Sequence, residues 1–251
     1  MYNTSKSSKI HETAILYDGV IINENCVIEA GCIIYPNVVI GSHSHIGPYT
    51  IIGEPDKDYY EQEQHNFKRT IIGKDAIIRS NSVIYENVSI GEQFRTGHRI
   101  TIRENTFIGN GCSVGTLCDI QGNVNVGNFV RMHSNVHIGQ LSTICDYVWL
   151  FPYVVLTNDL YPPFAKLQGV FIDEYAIIAT SSVIMPGVKI GKNSIIGASS
   201  LVRKDVPDEM LVVGSPAKPL YSVREIKDKS GMALYPWKEY LPDNRGYPWQ
   251  K

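Results

Sequence analysis

Residues 157–163, Thr-Asn-Asp-Leu-Tyr-Pro-Pro, set a carboxamide beside a carboxylate at the head of a segment without regular patterning. Such a pair can take part in proton transfer through the Asp159 carboxylate and hold a polar ligand through the Asn158 amide. The bland alternative is an Asx turn that only starts a loop. Three histidines are further candidates, His98, His133 and His137, each open to a solvated or interface role. Arg103 and Glu104, with Arg99, surround the polar Thr96; the arginines suit either a diphosphate or acids across a subunit interface. Arg203, Lys204 and Lys218 offer positive charge to phosphates near the C-terminus, and Tyr161 lies next to the Asn-Asp pair.

Something must position these groups, and the pattern points to a solenoid. From residue 70 to 157 an aliphatic residue recurs every sixth position: Ile72, Ile78, Ile84, Ile90, then Ile102, Ile108, Val114, Ile120 and on to Leu156, with Thr96 alone interrupting. Helices repeat at 3 and 4 and half-buried strands at 2, so a sustained period of six requires another architecture. A second column of small or β-branched residues, among them Ala76, Ser82, Cys112, Cys118 and Val124, follows four residues after the first. Asn and Gly sit between as turn-formers. Each hexad reads as a short strand plus a corner, three hexads as one coil, and stacked coils as a continuous core. The register starts near Ile10, breaks over 55–69, resumes at Ile72, leaves the coil at Leu156 and returns from Ile172 to Val202. The predicted organisation is a solenoid domain over 1–218, with loops 55–69 and 157–170 extruded, and a capping tail over 219–251. Residues 221–228 are expected to form a short helix, and the tail carries two Tyr-Pro-Trp triplets. Tyr59, Tyr60 and Phe67 in the first loop suit either a nucleobase or a neighbouring subunit.

The hexad, as in Ile108-Gly109-Asn110-Gly111-Cys112-Ser113, resembles that of the hexapeptide-repeat family, which implies an all-β fold, the left-handed parallel β-helix. The run Gly214-Ser215-Pro216-Ala217-Lys218 after the last coils resembles the closing motif of the CoA-dependent acyltransferases of that fold. The resemblance implies acetyl-CoA as co-substrate, its pantetheine arm lying outside the last coils. Ala179 and Gly197, 18 residues apart, outward and small, suit that approach, with Arg203, Lys204, Pro216 and Lys218 at the phosphate end. The Thr-Asn-Asp loop and Tyr-Pro-Trp tail resemble the sugar-nucleotide N-acetyltransferases that act on dTDP-3-amino-3,6-dideoxyhexoses. Asn158, Asp159 and His133 are then the catalytic candidates, and His98, Arg103, Glu104, His137 and Tyr161 contact the nucleotide-linked sugar. The resemblance also implies a homotrimer with active sites between subunits and a place in lipopolysaccharide O-antigen synthesis. Many relatives carry a histidine where this chain has Ser134, so a standard histidine base is in doubt.

Composition excludes other classes. Net charge is −2 and hydrophobic content 43%, without the basic balance of a nucleic-acid binder or an apolar run of membrane-spanning length. The opening MYNTSKSSKI lacks an apolar signal core, so a cytoplasmic location is expected. Cys26, Cys32, Cys112 and Cys118 fall in the small core column and read as buried hydrophobes, with Cys145 pointing outward. No metal is expected. His98, His133 and His137 superficially match the zinc set of the carbonic anhydrases that share this solenoid, yet by register His98 stacks under Ser134 rather than His133. A sugar O-acetyltransferase and a non-catalytic solenoid remain as alternatives.

Overall fold

The computed structural model describes residues 2–61, 64–163 and 166–239. Most hexads form a two-residue strand whose first side chain points out and whose second points in, as in Ile21–Ile22 and Val155–Leu156. From Val20 and Ile22 onward the leading aliphatics and the four-later column are buried together, while Ile10, Ala14 and Leu16 of the first coil are half-buried. Strands of successive coils pair in parallel, Ile22 opposite Ile40 and Ile138 opposite Leu156, so each residue lies over the one 18 positions earlier. The result is an all-β solenoid of parallel strands, as the period predicts, and it is the left-handed parallel β-helix that the family resemblance implies. By contacts the chain divides into two compact units between Val124 and Asn125.

Both unpatterned stretches leave the coil without shifting its register. Val39 pairs with Ile71 across the 55–69 loop, and Thr143 with Phe171 across the 157–170 loop. The first loop contains one helical turn, Asp58–Glu61. Corners demand positive φ, which Asn accepts more readily than most side chains, as at Asn81 (59°) and Asn135 (60°). In the second unit aromatic residues occupy the same strained corner: Phe129 (57°), Tyr147 (61°) and Tyr175 (62°). They stack as a ladder, with centroids 5.0 Å apart for Phe129–Tyr147 and 4.9 Å for Tyr147–Tyr175.

The interrupted hexad is a packing exchange. Thr96 is buried and its hydroxyl accepts the Arg79 N–H at 2.8 Å, while Phe94, two residues earlier in the small-residue column, is fully buried. One hexad has swapped its large and small positions, which preserves core volume.

After the last coil, Met210–Gly214 pairs in parallel with Ile195–Ile196 and turns back as Ala217–Ser222, an antiparallel hairpin. The helix expected over 221–228 is reduced to a single 3-10 turn, Val223–Glu225, capped by Ser222 and Glu225, because Ile226 is already extended. Trp237 of the first Tyr-Pro-Trp triplet lies against the flank of the coils. Its indole N–H donates to the Tyr175 carbonyl at 3.2 Å and its ring meets Tyr147, Trp149 and Tyr175. The second triplet lies outside the described residues.

Candidate active site

Loop 157–170 begins where Val155–Leu156 ends. Thr157 anchors it, its hydroxyl donating to the Ile184 carbonyl at 2.8 Å. The Asn158 carbonyl accepts the Gln168 N–H at 2.8 Å, so the loop's two ends are pinned together. One coil below, Gly139 gives Asn158 its place: a Cβ at 139 would stand 3.2 Å from that of Asn158 and 2.7 Å from the Leu156 carbonyl oxygen. Oδ1 of Asp159 accepts the Tyr161 N–H at 3.1 Å, an Asx turn. The turn and the chemical role are compatible, since the bond uses one carboxylate oxygen and fixes the group. Asn158 and Asp159 are half-buried and Tyr161 is exposed.

His133 follows the strand Arg131–Met132, and its N–H donates to the Leu150 carbonyl. Its ring stacks on Phe151, centroids 4.8 Å apart at 17°. Burial first, and the Arg131 charge second, lower its pKa from the usual imidazole value, which favours the neutral ring. His133, Phe151, Ala179 and Gly197 follow corresponding strands of successive coils and share one corner column, whereas Asn158 opens from the next corner. His137 stands on the strand between these corners, opposite Val155.

The small residues of that column are accounted for differently. Ala179 is half-buried, with its N–H on the Ile196 carbonyl. At Gly197 the space for a Cβ is already taken, 2.6 Å from Cγ1 of Val213. The closing hairpin thus gives a packing reason for a small residue at 197, beside the ligand approach expected from the sequence. Pro216 and Lys218 lie exposed on this hairpin, and Arg203 and Lys204 are exposed on the segment after Leu201–Val202. All of these positions belong to the second unit.

In the first unit, Arg103 is engaged within its own chain. Its guanidinium donates to both carboxylate oxygens of Glu104 at 3.1 and 3.0 Å, reaches Gln121 at 3.5 Å and lies over the Tyr85 ring at 5.6 Å. His98 is exposed, with Nδ1 2.8 Å from the Ser80 hydroxyl. Among the described residues one set of three potential metal ligands is gathered together, Asp56, His65 and Glu86, and none of His98, His133 and His137 is in it. Sequence reasoning missed Gly139 and Phe151. Their signal is positional: each stands one coil from a chosen candidate, Gly139 below the loop and Phe151 above His133.

The family described as "Bacterial transferase hexapeptide (six repeats)" matches residues 19–54 and 169–204. Among curated proteins it is 49% identical over 79 residues to a galactoside O-acetyltransferase of Lactococcus lactis, covering 28% of this chain and 38% of that one. It is 35% identical over 135 residues to a chloramphenicol acetyltransferase of Escherichia coli, covering 47% and 63%. The chain thus spans less than two thirds of either relative. Among solved structures, a UDP-N-acetylglucosamine O-acyltransferase of Moraxella catarrhalis aligns with a TM-score of 0.48 and 20% identity, covering 91% of this chain and 77% of that one.

Proposed function

We propose that this chain is an acetyltransferase that moves the acetyl group of acetyl-CoA to the amino group of a nucleotide-linked amino sugar, a dTDP-3-amino-3,6-dideoxyhexose being the favoured acceptor. The observation that carries this reading is the pinned Thr-Asn-Asp loop, in which Asp159 is held through Oδ1 by the Tyr161 N–H while Oδ2 remains for an incoming amine. The curated relatives, named as acetyltransferases, support the donor chemistry.

In the proposed reaction the free amine attacks the thioester carbonyl, the tetrahedral oxyanion is held by backbone N–H groups, and CoA leaves as thiolate. Asp159 orients the amine and receives or relays its proton; Asn158 binds the amine or an adjacent hydroxyl. His133, whose neutral form is favoured by burial, stands at the neighbouring corner. No cysteine is placed for an acyl-enzyme: Cys26, Cys32, Cys112 and Cys118 are buried, and desolvation, followed by the Asp173, Glu174 and Asp146 charges, raises the Cys145 pKa.

A second reading, sugar O-acetylation, is favoured by the galactoside O-acetyltransferase match. Product chemistry separates the two. Acetylated product from a dTDP-amino sugar that survives mild alkali carries an amide and supports the N-acetyl reading. Loss of the acetyl group under the same treatment reveals an ester and replaces it with the second.

A further inference from the structure

Loop 55–69 brings together three side chains that the proposed transfer does not use. Asp56 and His65 lie within the loop and Glu86 on the coil beneath it, just after the strand Val83–Tyr85. One ligand atom from each lies within 4.8 Å of the others. The side chains of His65 and Glu86 are only 7% and 1% exposed. Their facing atoms, Nε2 of His65 and Oε1 of Glu86, are 2.9 Å apart yet out of line for a hydrogen bond, so both are buried without one. Two buried polar atoms left in this state carry a desolvation cost that a shared ligand would relieve.

The surroundings orient the donors inward. Oδ1 of Asp56 accepts the Asp58 N–H at 2.9 Å, and Oε2 of Glu86 accepts the Lys68 N–H at 2.8 Å, so each carboxylate has one oxygen tied to backbone. The His65 ring is wedged edge-on against Phe67 and Tyr59, at 4.7 and 5.6 Å. Fixing ligands through their other atoms is what a metal site requires of its surroundings. Among the described residues the ammonium paired with these carboxylates is that of Lys68, 3.4 Å from Oδ2 of Asp56 and itself half exposed. With a neutral imidazole the cluster carries a net charge of −1.

We propose that Asp56, His65 and Glu86 bind a divalent transition-metal ion that clips loop 55–69 to the coil. One imidazole and two carboxylates match the ligands of zinc or manganese and leave room for water. Ligands about 2.1 Å from a tetrahedral ion stand about 3.4 Å apart, so closure needs about an ångström of side-chain adjustment. Lys68 is displaced into solvent when the ion binds. The site lies apart from the Asn-Asp loop in sequence and is proposed independently of the transfer reaction.

The test is a Zn²⁺ titration of the full chain after chelator treatment, followed by calorimetry, melting temperature and trypsin cleavage at Lys57 and Lys68. The proposal predicts one tight equivalent of Zn²⁺, a melting temperature several degrees higher, slower cleavage of the loop, and no such effects from Mg²⁺ at the same concentration. His65→Gln and Asp56→Asn each weaken the tight equivalent at least 10-fold. Lys68→Met strengthens it, and His45→Asn, at an exposed histidine, leaves it unchanged. Absence of a tight equivalent, or one unaffected by His65→Gln and Asp56→Asn in folded protein, overturns the proposal and leaves His65 and Glu86 as an ion pair alone.

Discussion

At the scale of single residues the reading rests on a carboxylate rather than a histidine. Asp159→Asn keeps the Asx turn, because an amide oxygen also accepts the Tyr161 N–H, but it removes the charge. It is expected to lower kcat about 10²- to 10³-fold with the melting temperature unchanged. Asn158→Ala should cost about fivefold, since a side-chain hydrogen bond to substrate is worth about 1 kcal/mol. His133→Asn should cost less than either; equal large losses for all three variants, measured by steady-state kinetics, would point to a histidine base instead. The His133 pKa is lowered by burial and by Arg131, so its neutral form persists further into acid than an ordinary imidazole's. Removing the nearby charge by Arg131→Gln moves that pKa upward, a shift that NMR titration of the ring reads directly.

Elements carry the stability predictions. Gly197→Val places a side chain where Val213 already sits and should push the closing hairpin off the last coil, lowering stability by about 1–3 kcal/mol in thermal unfolding. Phe94→Ala empties the position that compensates Thr96 and should cost about 3–5 kcal/mol. Most of the strands were legible in the sequence, because a buried aliphatic every six residues leaves no other architecture. The corners were not. Phe129, Tyr147 and Tyr175 sit at positive φ where Asn and Gly were expected, since the hexad marks only side chains that enter the core. Phe94 escaped for a related reason, as a large residue in the column read as small. Trp237 was visible as a motif, but its docking on the Tyr147–Tyr175 ladder depends on stacking that no period encodes.

Across the whole molecule the cysteines give a simple check. Burial raises the Cys26 and Cys32 pKa values, and burial with nearby carboxylates raises that of Cys145. The native protein should therefore react slowly with a thiol reagent at pH 8 and release all five thiols only on unfolding. The candidate site was legible in part. Asn158 and Asp159 stood out because they open a break in the register, and the structure pins that break through Thr157 and Gln168. The gathering of Asp56, His65 and Glu86 was hidden, because a folded loop rather than the period brings them together. Among the described residues no helix is long and apolar enough to cross a membrane. The central claim is acetyl transfer from acetyl-CoA to an amino sugar, and its most direct test is release of CoA thiol over a panel of dTDP- and UDP-linked amino sugars with their non-amino counterparts as controls. The account predicts thiol release with a dTDP-3-amino sugar and none with the counterpart lacking the amine; equal release with both, or none with any amino sugar, contradicts it.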